Sequence, residues 1–210
     1  MAERAGRPRD PAIDERVRAT TRTLVAEAGW ERTSVRAVAE RSGVTRAAIH
    51  RRWPSKAHLV LDAILGPGPD LDRFAGVDRA GWVEAVVEGA FELFDRPEMR
   101  AAVPGLLATL RDHDDVRAGL WHGFTAPATA LYRASPPADG CAGAHDEGRD
   151  ETGGGDRADE AEADARAVIV LAAGAAVVLT LLAGDDDAPA VRDRVARLLV
   201  DGVTRRGPSR

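Results

Sequence analysis

The chain is predicted to be all-α, with an N-terminal three-helix helix-turn-helix domain followed by a larger helical domain. Three observations predict this. Apolar residues recur at i, i+3 and i+4 along most of the 210 residues, the spacing of one helical face. No strand-like alternation is sustained, and aromatic residues make up only 4% of the chain. Finally, short hydroxyl and acidic residues, glycines and prolines stand where such periodic segments would begin and end.

The first ten residues are polar and carry Arg4, Arg7 and Arg9, which predicts a basic flexible arm over 1–10. They contain no apolar run of the kind a secretory signal needs. Residues 11–29 follow as a first helix, with Ile13, Val17, Leu24, Val25 and Ala28 on one stripe. Thr33 and Ser34 can cap a second helix, whose inward face is Val35, Val38 and Ala39. Ser42-Gly43 ends it, and Val44 fills the angle before a second cap at Thr45. Residues 46–50 then form a short helix with Ala48 and Ile49 inward, and with Arg46, Ala47 and His50 on the open side. Pro54 stops it, and Ser55 caps a further helix over 56–65. Residues 66–70 (GPGPD) read as a linker, which gives one domain over 11–65 and a second over 71–210.

In the second domain, helices are expected at 79–95, 97–111, 115–134, 158–183 and 189–204. Asp78 caps the first of these, and Pro97 suits the opening position of the next. Pro104 and Pro127 fall inside helical patterns, where a kink or a break is expected. Residues 135–160 are rich in Gly, Pro and Asp and nearly devoid of apolar side chains, so they are expected to stay a disordered loop. Residues 167–183 form an uncharged run of 17. That is borderline for a membrane span, which takes about 20. Asp164 and Arg166 precede it, three aspartates follow it, and no aromatic belt flanks it. With Ala172 to Ala176 allowing close approach, it reads as a buried helix that contributes half of a dimer interface rather than as a membrane helix. Val170, Gly174, Val178 and Leu182, with Val195 and Leu199 of the last helix, are the expected contact residues.

Charge separates the two parts. Residues 1–60 carry a net +6, whereas the whole chain carries −5. A basic front on an acidic body is the electrostatic footprint of a DNA reader joined to another module. A short helix after a tight turn can enter the major groove. Arg46, in its first turn, is then the prime candidate for base contact, because arginine pairs bidentately with guanine. Thr45 either only caps the helix or also touches the DNA, and Ala47 either accommodates a base methyl or simply permits close approach.

Residues 13–65 resemble the N-terminal domain of the TetR family of transcriptional repressors. The resemblance rests on Ala28-Gly29-Trp30, on residues 33–39 (TSVRAVA), on Ser42-Gly43-Val44-Thr45, on residues 49–53 (IHRRW) and on residues 55–59 (SKAHL). The family usually has tyrosine where His50 stands and phenylalanine where Trp53 stands. The resemblance implies that Thr33, His50, Arg52 and Lys56 contact DNA phosphates. It also implies a homodimer, built as a four-helix bundle, that presents two recognition helices to a roughly palindromic double-stranded operator. It further implies that a small-molecule effector binds among the middle helices. Their larger side chains (Trp82, Phe91, Phe94, Leu106, Leu110, Trp121, His122, Phe124 and Tyr132) suit such a pocket, and the negative charge of this part favours an apolar or mildly polar molecule.

The expected function is therefore a ligand-released repressor, with a DNA-binding repressor or architectural protein that has no effector as the alternative. No nucleophile–base arrangement, phosphate loop or metal-ligand spacing is present, so neither an enzyme nor a metal or other cofactor is expected. The lone Cys141 excludes an internal disulfide and suits a reducing cytoplasm.

Overall fold

The computed structural model describes residues 10–66, 68, 70–111, 113–137, 154–180 and 188–204. Among them there are helices and turns and no strand. The helices are α1 (Pro11–Arg32), α2 (Val35–Ser42), α3 (Arg46–His50), α4 (Lys56–Leu65), α5 (Arg79–Asp95), α6 (Pro97–Leu110), α7 (Asp114–Leu120), α8 (Ala126–Ala134), α9 (Gly154–Val178) and α10 (Ala188–Thr204). A short 3-10 turn, Asp72–Phe74, precedes α5, and a π-helical turn, Trp121–Thr125, joins α7 to α8. The chain divides into two compact units. The first comprises residues 1–67 together with 97–116, and the second comprises 68–96 and 117–210.

In the first unit, Val17, Val38, Val44, Ile49, Trp53 and Leu59 form the buried centre, with Ile13, Leu24, Val35, Ala39 and Ala48 around it. These are the stripes expected from the spacing. α1, α2, α3 and α4 each start at a side-chain cap. Asp10 accepts from the Ala12 N–H, Ser34 from Ala37, Thr45 from Ala48 and Ser55 from His58. The turn before α3 depends on Gly43, which has φ +69° and donates its N–H to Ala39 O. α1 is longer than expected, but it is broken at Gly29 (φ 76°, ψ 175°), and its last turn runs on to Arg32. α6 packs against α1 and α4 and buries Met99, Ala102, Val103 and Leu106. Pro104 lies inside α6, and the helix runs through it.

The second unit is built from α5, α8, α9 and α10 around two clusters. One holds Phe74, Trp82, Val83, Ala128, Tyr132, Ala161, Ala165 and Val168. The other holds Val87, Phe91, Ala172 and Ala176. Asp78 caps α5 by accepting from the Gly81 N–H at 2.8 Å. The helix expected over 115–134 continues through the π turn, and Pro127 follows that turn in the first residues of α8. Residues 154–160, placed by composition in a loop, are helical and open α9. The rest of the expected loop (138–153), the basic arm up to residue 9, and Leu182 lie outside the described residues.

Candidate nucleic-acid interface

The interface is built on α3, one face of which belongs to the core. Ile49 is fully buried and Ala48 packs beside it. With that face anchored, Thr45, Arg46, Ala47 and His50 are all exposed, as is Arg51 at the helix end. Positions 46 and 50, and 47 and 51, are four residues apart and share one face. The side chains of Arg46, His50 and Arg51 make no ion pair or hydrogen bond among the described residues. Thr45 Oγ1 accepts from the Ala48 N–H at 3.3 Å, so it caps α3 while remaining exposed. The helical pattern alone does not single out Arg51, because it falls in the turn just after α3. Its i+4 spacing from Ala47 was the available signal.

The other expected phosphate contacts sit differently. Thr33 does not cap α2; that is Ser34. Thr33 is buried at the end of α1, where its hydroxyl donates to Gly29 O at 2.8 Å and its N–H is shared between Gly29 O and Trp30 O. A buried hydroxyl with its donor engaged is not displayed to a phosphate. Arg52 is also turned inward. Its Nε lies 2.5 Å from Asp14 Oδ1, a charge pairing whose angle departs from that of a hydrogen bond, and Nη1 donates to Ala48 O. It ties α3 to α1. Lys56 is half-buried, with Nζ donating to Trp30 O and lying over the Trp30 ring. Of the four expected phosphate contacts, only His50 stands fully open.

What holds α3 in place is a node around Asp62 that no sequence spacing announced. Asp62 Oδ2 accepts from Trp53 Nε1 at 2.6 Å and from Arg18 Nε at 2.8 Å. The carboxylate in turn holds the Arg18 guanidinium above its ordinary pKa. The Trp53 ring fills the core while its N–H reaches a charged acceptor, a use of the indole that phenylalanine cannot supply. Arg22 Nη1 donates to Ala63 O near the end of α4. On the outside of the unit, Arg41 of α2 grips Glu27 of α1 through both nitrogens, at 2.5 and 3.0 Å.

The second unit carries an exposed apolar stripe. On α9, Ala163, Ala167, Val170, Leu171, Gly174 and Val178 are exposed, whereas Ala161, Ala165, Val168, Ala172 and Ala176 are buried on the opposite side. Leu198 of α10 is exposed too, at 54%. Val195 and Leu199 instead pack inward against the cluster at Phe91.

The residues expected to line an effector pocket are divided between the two units. Trp82 is fully buried, donates to Ala128 O at 3.1 Å and meets Tyr132 edge-on at 4.8 Å. Phe91 is buried under Arg192, and Phe94 packs at the edge of the same cluster. Trp121 and His122 are exposed, with Arg166 over the Trp121 ring. Leu106 and Leu110 belong to the first unit, and the Phe124 side chain lies outside the described residues. A shallow, open depression of about 510 Å³ lies elsewhere in the second unit, lined by Arg79, Ala130, Arg133, Ala134, Ala158 and Ala161. The Arg79 Nε is buried without a hydrogen-bond partner, and Arg133 lies 3.6 Å from Glu162. No group of side chains among the described residues has metal-binding geometry, and no helix among them is long and apolar enough to cross a membrane.

Comparison with known proteins agrees with this architecture. Residues 17–63 match the family described as bacterial regulatory proteins, tetR family. The HTH-type transcriptional regulator YdeS of Bacillus subtilis is 30% identical over 93 residues, 44% of this chain and 46% of that protein. Rv1556 of Mycobacterium tuberculosis, also an HTH-type transcriptional regulator, is 42% identical over 65 residues, 29% of this chain and 32% of that protein. The chain thus spans less than half the length of these curated relatives. Two solved structures share the fold at low identity. NalD of Pseudomonas aeruginosa, described as the secondary repressor of the MexAB-OprM multidrug efflux pump, superposes with a TM-score of 0.58 at 17% identity, over 94% of this chain and 100% of its own. A putative TetR-family regulator from a Rhodococcus species gives a TM-score of 0.59 at 18% identity, over 93% and 100%. Residues 17–63 thus carry the helix-turn-helix domain of the tetR family of bacterial regulatory proteins, and the chain as a whole shares the all-helical fold of these solved structures.

Proposed function

We propose that the protein is a sequence-specific, DNA-binding transcriptional repressor that acts as a homodimer on a palindromic operator. One observation carries the reading. α3 is anchored by Ile49 and turns Arg46, Ala47, His50 and Arg51 outward on one face, with the three basic side chains unengaged among the described residues. Such a face suits a major groove, where Arg46 supplies base readout and His50 and Arg51 meet phosphates. Thr45 can add a contact without losing its cap. The exposed α9 stripe supports pairing with a second copy, because monomers seldom leave a long continuous apolar face in water. Val170, Gly174 and Val178 form its centre.

A small molecule then releases the repressor from its operator. Support comes from the open depression at Arg79, whose buried Nε has no hydrogen-bond partner among the described residues and favours an effector carrying negative charge over the apolar one suggested by net charge. The alternative, a repressor with no effector, is favoured by the filled aromatic cluster of Trp82, Phe91 and Tyr132. The test is selection of bound duplexes from a random pool, followed by a screen for compounds that release the selected duplex. Enrichment of a two-fold symmetric sequence is expected. Binding with no preference over bulk competitor DNA would overturn the reading.

A further inference from the structure

Lys56 opens α4, and it is the only lysine in the chain. Its ammonium is held in place. Nζ donates to the carbonyl oxygen of Trp30 at 2.5 Å and lies 4.3 Å from the centroid of the Trp30 ring. The carbonyl supplies a partial negative charge and the ring face supplies the negative lobe of its quadrupole. One residue therefore makes both contacts. Burial lowers the Lys56 pKa, while Glu31 beside it pulls in the opposite direction. An ammonium has three N–H donors. The Trp30 carbonyl takes one, and no protein group among the described residues takes the others.

Trp30 is in turn located by α6. A Cβ built on Gly105 would fall inside the indole, and even the ring nitrogen would be only 2.5 Å away. The ring thus rests directly on α6 backbone, and any side chain at 105 would displace it. A second tie runs parallel. His58, also in the first turn of α4, places Nε2 3.2 Å from Asp115 Oδ2 and Nδ1 2.9 Å from the capping Ser55 Oγ. Both ties run to the stretch 97–116, which belongs to the first unit while the chain on either side of it belongs to the second.

We propose that Trp30 is a positioning residue for Lys56: it presets the ammonium as a DNA-phosphate contact, two donors open, and makes that contact depend on where α6 places the indole at Gly105. Pre-holding a long, flexible side chain removes part of the ordering cost at the moment of binding. Displacement of α6 moves the indole, and the lysine loses its seat. The inference rests on the DNA-binding reading given above.

Because there is one lysine, reductive ¹³C-methylation of the full-length protein gives a single lysine resonance beside that of the N-terminal amine. In the free protein this resonance is expected upfield of its position in the urea-unfolded chain, as a group over a ring face must be. Trp30→Phe keeps the upfield shift. Trp30→Leu, which retains bulk and carbonyl but has no π face, loses it, and Gly105→Ala diminishes it. A wild-type resonance at its unfolded position overturns the proposal without any DNA present. On the selected duplex, Lys56→Ala lowers the slope of log affinity against log salt by about 0.9 per lysine engaged. Trp30→Leu is expected to give the same loss, and the double variant no more than either single one. Full slope in Trp30→Leu, or losses that add, would refute the proposal. Absence of any duplex preference in the wild-type protein would instead defeat the DNA-binding reading, leaving the resonance to decide whether Trp30 seats Lys56.

Discussion

Replacing Trp53 with phenylalanine tests whether the Asp62 node fixes the α3–α4 corner. The substitution keeps an aromatic ring in the core but removes the N–H that Asp62 accepts at 2.6 Å. A hydrogen bond to a charged group contributes roughly 1.5–3 kcal/mol. The Asp62 and Arg18 side chains are 29% and 23% exposed, so water can partly replace the lost donor and the low end, about 1.5 kcal/mol, applies. The smaller ring leaves a void that costs on the order of 1 kcal/mol more. The expected loss is therefore about 2–3 kcal/mol. Asp62→Ala should cost about 3 kcal/mol or more, since it leaves both the buried indole N–H and the Arg18 guanidinium without their acceptor. Asp62→Asn, which keeps an acceptor oxygen, should lie below both. Urea unfolding followed by far-ultraviolet circular dichroism gives the midpoints and, from the slopes, shows whether the same transition is being compared. The double variant Trp53→Phe/Asp62→Ala should lose less than the two single losses combined, because both remove one bond. Wild-type stability in Trp53→Phe, or strict additivity in the double variant, would refute the assignment.

Other consequences are more quickly tested. Arg46→Ala should cost roughly 1–3 kcal/mol on the operator and relax preference at one base pair per half-site; equal losses on all duplexes would reduce Arg46 to a backbone contact. Arg51→Ala should instead weaken binding on every sequence and flatten the salt slope by about one unit. An unchanged slope would take Arg51 out of the interface. Val170→Asp together with Val178→Asp should yield monomers in sedimentation, and a persisting dimer would place the interface away from α9. Arg41 holds the exposed Glu27 carboxyl below its ordinary 4.5, so this pair stabilises the fold above that pH and its contribution fades as pH falls through the lowered value. Glu27→Gln should therefore show a shallower loss of stability on acidification, and an identical acid limb would mean that the pair contributes nothing.

The N-terminal fold was largely legible because each of its instructions is local. Caps, the glycine at 43 and the inward positions of α2 and α3 are written within a few residues of where they act. α5 was legible for the same reason, with Asp78 starting it and Pro97 following it. The π turn at Trp121–Thr125 was not, since an extra residue in a helix changes no local preference. The direction taken by a long side chain was also hidden. Arg52 and Lys56 read as solvent-facing cations, yet they find Asp14 and Trp30, partners 38 and 26 residues away. Composition likewise does not distinguish a lined cavity from a filled one among the aromatic residues of the middle helices. Trp82 and Tyr132 fill theirs.

The interrupted path of the first unit through the sequence bears on protein engineering. Exchanging front ends between relatives by splicing at the glycine–proline linker would graft a torso without its strut, because 97–116 would stay behind with the recipient. The donor's Trp30 would then meet whatever residue the recipient carries opposite it. A workable hybrid must carry both pieces, cut at residue 67 and again at each flank of that stretch.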